Sequence, residues 1–439
     1  MIENAYPCVR AAAFLKQQPV HNCLVFEYNG RRILLGINEE ATAVLKACDG
    51  LSTSEDVYHS LAVKYHDNVD NVLGKVEPFL QDLERLNVIE YVSDPTSTPI
   101  RVIGSKEYIT PDYVIIELTY RCPLRCIHCY VDAGHGPVME FPKLQDLLTE
   151  LVDQIGVNGV QLTGGEPLLY PHINAVVDYL SGKGIPIYIA TSGMVLNSST
   201  KEVLEKLRNR RGSIQVSFDG FETTHNRIRG NPHSFQNAMT FLNYVIDHEI
   251  AADTATSLID QSEDEVIALC VRMRDLGVRR FRLGAVSMQG RGATLDPATL
   301  WSAQRVRTLR AQLQRDYATE SFQVDTTDDA RSEHQSVNCG AGTRLLAVDP
   351  VFRVRPCALT SLCLGDLKQE CLNSVILRGN TLLGNMAAPD NVICSGCPFE
   401  INCQGCIAEG YTNSHKVESC IWFTQEQARL RPLMGVTPV

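Results

Sequence analysis

Apolar and polar positions alternate with a period of two over residues 23–28 and again over 31–35, on either side of Asn29-Gly30. This predicts a hairpin, because Asn-Gly accepts the positive φ that a two-residue turn demands. The period then changes to that of a helix. One helix is expected from Asn38, with Glu39 and Glu40 in its first turn, Val44, Leu45 and Cys48 facing inward and Gly50 as the stop. Ser54 is the expected cap of a second, running to Tyr65. A third is expected over 71–86, with Val72, Val76, Phe79, Leu80 and Leu83 at helical spacing and Pro78 kinking or dividing it. A strand over 88–92 closes this first domain, 1–92, and the stretch 93–111, rich in Pro, Ser and Thr, reads as a linker.

From residue 113 strand-like and helix-like pieces alternate. Strands are expected over 113–118, 159–162, 185–190, 213–218, 251–258 and 280–286, and helices over 144–155, 172–183, 201–208, 234–248 and 263–276. Alternation of this kind means an α/β domain with a parallel sheet and right-handed crossovers.

Length and composition narrow the class. At 439 residues the chain divides into two or three domains, and 44% hydrophobic with 21% charged residues is the balance of a soluble globular protein. No apolar run approaches the roughly 18–20 residues of a membrane span, and the start lacks a signal-peptide pattern, so a cytoplasmic protein is expected. In that reducing compartment 16 cysteines point to metal rather than disulfides, and a net charge of −11 argues against a nucleic-acid partner.

The densest chemistry lies in Cys122-x3-Cys126-x2-Cys129, directly after the first strand of the α/β domain and followed by Tyr130. Three thiolates are an incomplete set for a cubic iron–sulfur cluster and leave one iron open to a small molecule. A closed zinc site needs a fourth ligand, and only His128, inside the loop, is at hand. At the end of the second strand, Thr163-Gly164-Gly165-Glu166-Pro167 offers glycines for close backbone approach to a ligand, with carbonyls and a carboxylate to accept from an ammonium group. Nine more cysteines follow residue 300, seven of them falling as Cys339, Cys357, then Cys394-x2-Cys397-x5-Cys403-x2-Cys406, then Cys420. Paired C-x2-C motifs are strong metal signals, for zinc ribbons or for clusters. Cys8, Cys23, Cys48 and Cys270 read as buried core thiols.

The three-cysteine spacing, its aromatic follower and its place after the first strand resemble the radical S-adenosylmethionine (SAM) enzymes. The resemblance implies a partial (β/α)6 barrel over 112–315, with SAM bound at Tyr130, Gly164, Gly165 and Glu166, Ser217 and Asp219 on the ribose side, and Arg229 facing the SAM carboxylate. Thr191-Ser192-Gly193 stands where that family usually has Thr-Asn-Gly, which weakens a role for Ser192. The later cysteines resemble the SPASM domain, here 316–439, which carries two auxiliary clusters. That likeness implies an outer cluster on Cys394, Cys397, Cys403 and Cys420 and an inner one on Cys339, Cys357 and Cys406, with Cys363, Cys371 or a substrate thiolate as its fourth ligand. Two departures stand out: Phe352 replaces a usual glycine, and the fifth and sixth cysteines are separated by two residues instead of three. The shorter spacing is that of the thioether-forming branch.

The first domain, winged-helix-like, resembles the RiPP recognition element, which binds leader peptides by β-addition, here at 31–35 against the helix over 71–86. Taken together the three domains resemble the sactisynthases, peptide maturases that join a cysteine sulfur to an α-carbon. The resemblance implies SAM and three [4Fe–4S] clusters as cofactors. It implies a ribosomally made precursor peptide and an electron donor such as flavodoxin or ferredoxin as partners. The rivals are a radical maturase making a Cβ or Cγ thioether or a carbon–carbon link, a formylglycine-forming sulfatase maturase, against which the first domain argues, and a non-enzymatic zinc scaffold that binds peptides.

Overall fold

The computed structural model describes residues 5–29, 31–208, 212–326 and 338–434. The chain divides into two units: one up to Thr110 that also takes in Thr149–Asn158, the other made of Pro111–Leu148 and Gly159–Val439.

In the first unit β1 (Tyr6–Val9) pairs antiparallel with β5 (Ile89–Val92). A four-stranded sheet has the order β4 (Arg31–Ile37), β3 (Asn22–Tyr28), β2 (Phe14–Gln17), β6 (Arg101–Gly104). The expected hairpin is β3–β4, in register from Tyr28↔Arg31 to Asn22↔Ile37; of its turn, Asn29 has φ 49° and Gly30 lies outside the described residues. Three helices follow: α1 (Glu39–Ala47), α2 (Ser54–Tyr65) and α3 (Val69–Arg85). Their apolar faces, including Val44, Leu45, Leu61, Val72, Leu80 and Leu83, pack with Leu15, Leu24 and Phe26 into one core.

Three details differ from the sequence reading. Thr53, not Ser54, caps α2, because its side chain and that of Asp56 bond each other's backbone N–H groups as a capping box. Pro78 does not divide α3; it stands on the exposed face four residues after exposed Gly74, so the carbonyl it leaves without a helical partner faces water. The stretch read as linker contains β6, which runs parallel to β2. The helix expected over 144–155 is α4 (Phe141–Glu150) followed by a π-helical turn, Leu151–Ile155, whose Asp153 pairs with Arg101 of β6 at 3.6 Å.

The second unit is built on a ten-stranded sheet. The six expected strands lie in chain order and all parallel: β7 (Tyr113–Thr119), β8 (Gly159–Gly164), β9 (Ile187–Thr191), β10 (Gly212–Ser217), β11 (Ala252–Leu258) and β12 (Arg280–Ala285). The crossovers carry α4, α5 (Ile173–Gly182), α6 (Ser198–Leu207), α7 (Glu222–Arg229), α8 (Ser234–Asp247) and α9 (Glu263–Leu276). The strands read as apolar runs because helices cover them: Val114, Ile116 and Leu118 of β7 are buried, as are Leu144 and Leu147 of α4 and Val176 and Val177 of α5. After α10 (Ala303–Tyr317), β13 (Gln323–Thr326) joins the β12 edge, while β14 (Leu345–Val348) runs parallel to β7 on the other and leads through β15 (Arg353–Arg355) to β16 (Gly365–Asp366). The remainder is helical: α11 (Leu372–Leu383), α12 (Glu400–Cys403), α13 (Ile407–Ser414) and α14 (Ile421–Leu430). Among the described residues no helix is long and apolar enough to cross a membrane.

Candidate active site

The three-cysteine loop leaves the C-terminal end of β7, where open α/β sheets place their sites. It closes on itself through backbone bonds, Tyr120 N–H to Pro137 O at 2.9 Å, Gly134 N–H to Tyr120 O at 2.8 Å and Cys122 N–H to Gly134 O at 3.1 Å. Within it Cys122, Cys126 and Cys129 lie in electrostatic reach of one another, and Ala133 N–H points at Cys129 Sγ, 3.3 Å away. Burial pushes the Cys122 thiol up to about 12 and raises Cys126 as well. Such thiols keep their protons unless a metal centre supplies the positive charge that removes them. The donor set, three thiols with no carboxylate among them, fits the three-ligand iron–sulfur cluster that the sequence implies. Among the described residues no group of three Cys, His, Asp or Glu side chains is arranged to hold a single metal ion.

Sequence reasoning missed Arg291, which clamps this loop from the segment after β12. Its Nε donates to Cys126 O at 2.8 Å, its Nη1 to Ala133 O at 2.8 Å and to Asp132 at 2.5 Å, and its backbone N–H to Cys129 O at 2.9 Å. Gly290 beside it has φ 52°, and a Cβ there would lie 2.4 Å from Cys129 O, so the chain approaches the loop backbone to backbone. A Gly-Arg-Gly run just past a strand was the available signal.

Gly164 and Gly165 serve a closer neighbour than the ligand expected of them. A Cβ on Gly164 would come within 2.4 Å of Thr119 O and one on Gly165 within 2.4 Å of Arg121 O, while Gly165 N–H donates to Thr119 O. They therefore let β8 meet the root of the cysteine loop. Glu166 is fully buried, and its carboxylate accepts from Thr191 Oγ1 at 2.7 Å, from Ser192 N–H at 2.9 Å and Oγ at 2.5 Å, and from Leu168 N–H at 3.3 Å. Ser192 thus has a part in the site, that of holding Glu166. Burial raises the Glu166 carboxyl, and these donors work against that rise.

Asp219 lies two residues beyond Ser217, at the end of β10, and Arg229 ends α7. The structure pairs these two residues with each other, Arg229 Nε to Asp219 Oδ2 at 2.6 Å, and sets Arg229 Nη1 3.7 Å from Cys126 Sγ. Burial alone would raise the Asp219 carboxyl, but the guanidinium holds it below the usual carboxylate range. His128 Nε2 stands 3.9 Å from Asp219, and His225 Nδ1 accepts the Asp219 N–H at 3.1 Å. Burial pushes His128 down to about 4 and His225 to about 3, so both rings are neutral near pH 7.

A second buried carboxylate, also missed, is Glu117 of β7. It accepts from the hydroxyls of Tyr120 at 2.7 Å and Tyr130 at 3.1 Å and pairs with Arg355 at 2.5 Å. A lone acid inside the apolar strand Tyr113–Thr119 was its signal in the sequence.

The later cysteines gather in two places. Cys394, Cys397, Cys403 and Cys420 line one small cavity with Phe399 and Trp422, and N–H groups of Asn413 and Phe423 point at Cys403 and Cys420 Sγ, at 3.6 and 3.4 Å. Cys357, pushed up to about 12 by burial, neighbours Cys339 and Glu409, and the Glu409 N–H lies 3.5 Å from Cys406 Sγ. Of the two alternative fourth ligands, Cys363 bonds Gly365 O and faces Arg353, Asp349 and Asp366, and Cys371 is exposed at the cap of α11 beside Ser374. Phe352 is buried with φ 69°, the left-handed conformation that explains a usual glycine there, at a cost of roughly 1–2 kcal/mol for a side chain. Cys8, Cys23, Cys48 and Cys270 are buried, as expected.

Residues 116–273 match the radical SAM superfamily, and residues 27–89 match coenzyme PQQ synthesis protein D. The chain is an enzyme that carries a radical SAM domain and, before it, a PqqD-type domain. Over 97% of its length, and 98% of the relative's, it is 25% identical to the antilisterial bacteriocin subtilosin biosynthesis protein AlbA of Bacillus subtilis (strain 168). The sporulation killing factor maturation protein SkfB of the same organism is 23% identical over 63% of this chain and 67% of its own. Among solved structures, Streptococcus suis SuiB bound to its precursor peptide SuiA superposes with a TM-score of 0.65, at 15% identity, covering 94% of this chain and 98% of that one. A further SuiB structure, with a TM-score of 0.62 at 15% identity over 94% of this chain and 97% of that one, holds S-adenosylmethionine. At such identity the likeness shows the shared fold.

Proposed function

We propose that this chain matures a ribosomally made precursor peptide by joining a cysteine sulfur to a peptide α-carbon. The observation that carries the reading is the union, in one chain, of a three-thiol loop heading a parallel sheet and a PqqD-type unit whose sheet ends in a strand open to pairing, β4. Leu34 and Leu35 of β4 are each more than two-fifths exposed, which suits the arrival of an extended leader peptide as a further strand. The names of AlbA and SkfB and the peptide held by SuiB agree with this substrate class.

Cys122, Cys126 and Cys129 would hold the reactive cluster, which together with SAM, and fed by a donor such as flavodoxin or ferredoxin, supplies a 5′-deoxyadenosyl radical that abstracts hydrogen. The chain's own residues position and shield. Gly164 and Gly165 would offer their carbonyls to the SAM amino group beside Glu166, which fixes the ends of two strands, Tyr130 and Ser217 would border the cofactor, and Arg229, paired with Asp219, would also face the SAM carboxylate. Cys394, Cys397, Cys403 and Cys420 would hold an outer auxiliary cluster. Cys339, Cys357 and Cys406 would hold an inner one, with a position left for the substrate's cysteine.

The experiment is anaerobic reconstitution followed by reaction with a cysteine-containing peptide from a short reading frame beside the gene. About twelve irons are expected, of which changing Cys122, Cys126 and Cys129 together to Ala removes about a third. The product should lose two hydrogens per crosslink. A peptide left intact while SAM is consumed contradicts the proposal.

A further inference from the structure

One buried carboxylate holds both ends of the three-cysteine loop. Tyr120 precedes Cys122 by two residues and Tyr130 follows Cys129 directly, and both hydroxyls donate to Glu117, which is fully buried. The same carboxylate pairs with Arg355, two residues before Cys357, although the two lie 238 positions apart in sequence. The Arg355 Nη1 in turn donates to Ala358 O at 3.0 Å and Thr360 O at 3.3 Å, so it also shapes the turn that carries Cys357. A buried ion pair of this kind is weak evidence of stability, since apolar residues of like volume hold a core as well; what it specifies is relative placement.

The placed groups enclose a space. Tyr120, Tyr130 and Arg355, with Asp349, Arg353 and Cys363, wall a cavity of about 200 Å³ beside the cysteine loop. With their hydroxyls bonded to Glu117, the tyrosines form part of that wall, and Arg355 Nε is buried with no hydrogen-bond partner among the described residues.

Resting on the peptide-maturase reading, we propose that Glu117 and Arg355 are a positioning pair that sets the three-cysteine loop against the Cys357 turn and shapes this cavity to receive the peptide residue that loses hydrogen. The Arg355 Nε–H is available to a peptide carbonyl of that residue. With the pair intact, SAM cleavage and hydrogen abstraction from peptide stay coupled.

The test uses the full-length reconstituted enzyme and its precursor, with Arg355→Lys, Glu117→Gln and the charge-balanced double variant Glu117→Gln with Arg355→Gln. Lysine keeps the charge but cannot bond Glu117, Ala358 and Thr360 together. The expected result is full iron content with at least a fivefold fall in product formed per SAM consumed, the scale of loss that small misplacements of a reacting centre cause. In the electron paramagnetic resonance spectrum of the reduced, SAM-bound enzyme, the change that precursor induces in the parent should be lost in Arg355→Lys. Should a single variant lose iron, the double variant carries the measurement. Variants as well coupled as the parent, with the spectral change retained, overturn the positioning role. A parent that leaves the precursor unmodified overturns the maturase reading itself.

Discussion

Replacing Arg291 by Ala removes the side chain that ties the cysteine loop to the segment after β12. Two of its bonds reach backbone carbonyls, Cys126 O and Ala133 O, both at 2.8 Å, and each is charge-assisted. At roughly 1.5–3 kcal/mol for such a bond, the pair contributes about 3 kcal/mol at the low end. The third arm, to Asp132, is discounted because that carboxylate is 66% exposed. About 3 kcal/mol corresponds to roughly a hundredfold change in the ratio of closed to open loop. Challenging the reconstituted protein with an iron chelator under anaerobic conditions reads that ratio directly. About a third of the iron should leave Arg291→Ala at least tenfold faster than it leaves the parent, with Arg291→Lys between them. Iron loss at the parent's rate would refute the reasoning that Arg291 holds the loop.

Two further expectations follow from burial and charge. Changing Leu34 and Leu35 together to Asp places like charges and no apolar surface on the open edge of β4, and should weaken binding of a labelled precursor at least about tenfold in anisotropy measurements. Unchanged affinity would remove β4 as the docking edge. His225, pushed down from 6.5 to about 3 by burial and by Arg229, takes up a proton in the unfolded chain long before it does so in the fold. Stability from this group is therefore complete well above pH 6.5 and is lost as pH falls toward 3, by about 1.4 kcal/mol between pH 7.5 and 5.5. Urea unfolding at pH 7.5 and 5.5 should show that slope in the parent and a shallower one in His225→Gln.

The parts legible in the sequence were those set by local pattern. The six strands β7 to β12 of the parallel sheet, all five crossover helices expected of it and the hairpin β3–β4 announce themselves through period and turn chemistry. The three-cysteine loop did so through spacing. Strands such as β1 and β6 escaped because four residues carry little periodicity and they form only with partners far along the chain, as when Phe14 of β2 meets Arg101 of β6. The helix α7 escaped because, with only His225, Ile228 and Arg229 buried, it has almost no apolar face. Arg291 and Arg355 were illegible for a different reason: they meet the cysteine loop and Glu117 across 165 and 238 residues, which only the assembled sheet brings together. The Gly-Gly-Glu segment shows the converse. Its importance was plain, yet the immediate reason for its glycines is contact with Thr119 and Arg121.

The central claim is that this chain generates a radical that acts on a peptide α-carbon. It is tested most directly by a precursor deuterated at the α-carbon of the acceptor residue, incubated anaerobically with the reduced enzyme and SAM, with 5′-deoxyadenosine analysed by mass spectrometry. The account predicts deuterium in 5′-deoxyadenosine and one thioether crosslink for each deuterium transferred. Deuterium appearing only from β- or γ-labelled precursor would contradict the α-carbon assignment, and 5′-deoxyadenosine without deuterium from any position would contradict the claim as a whole.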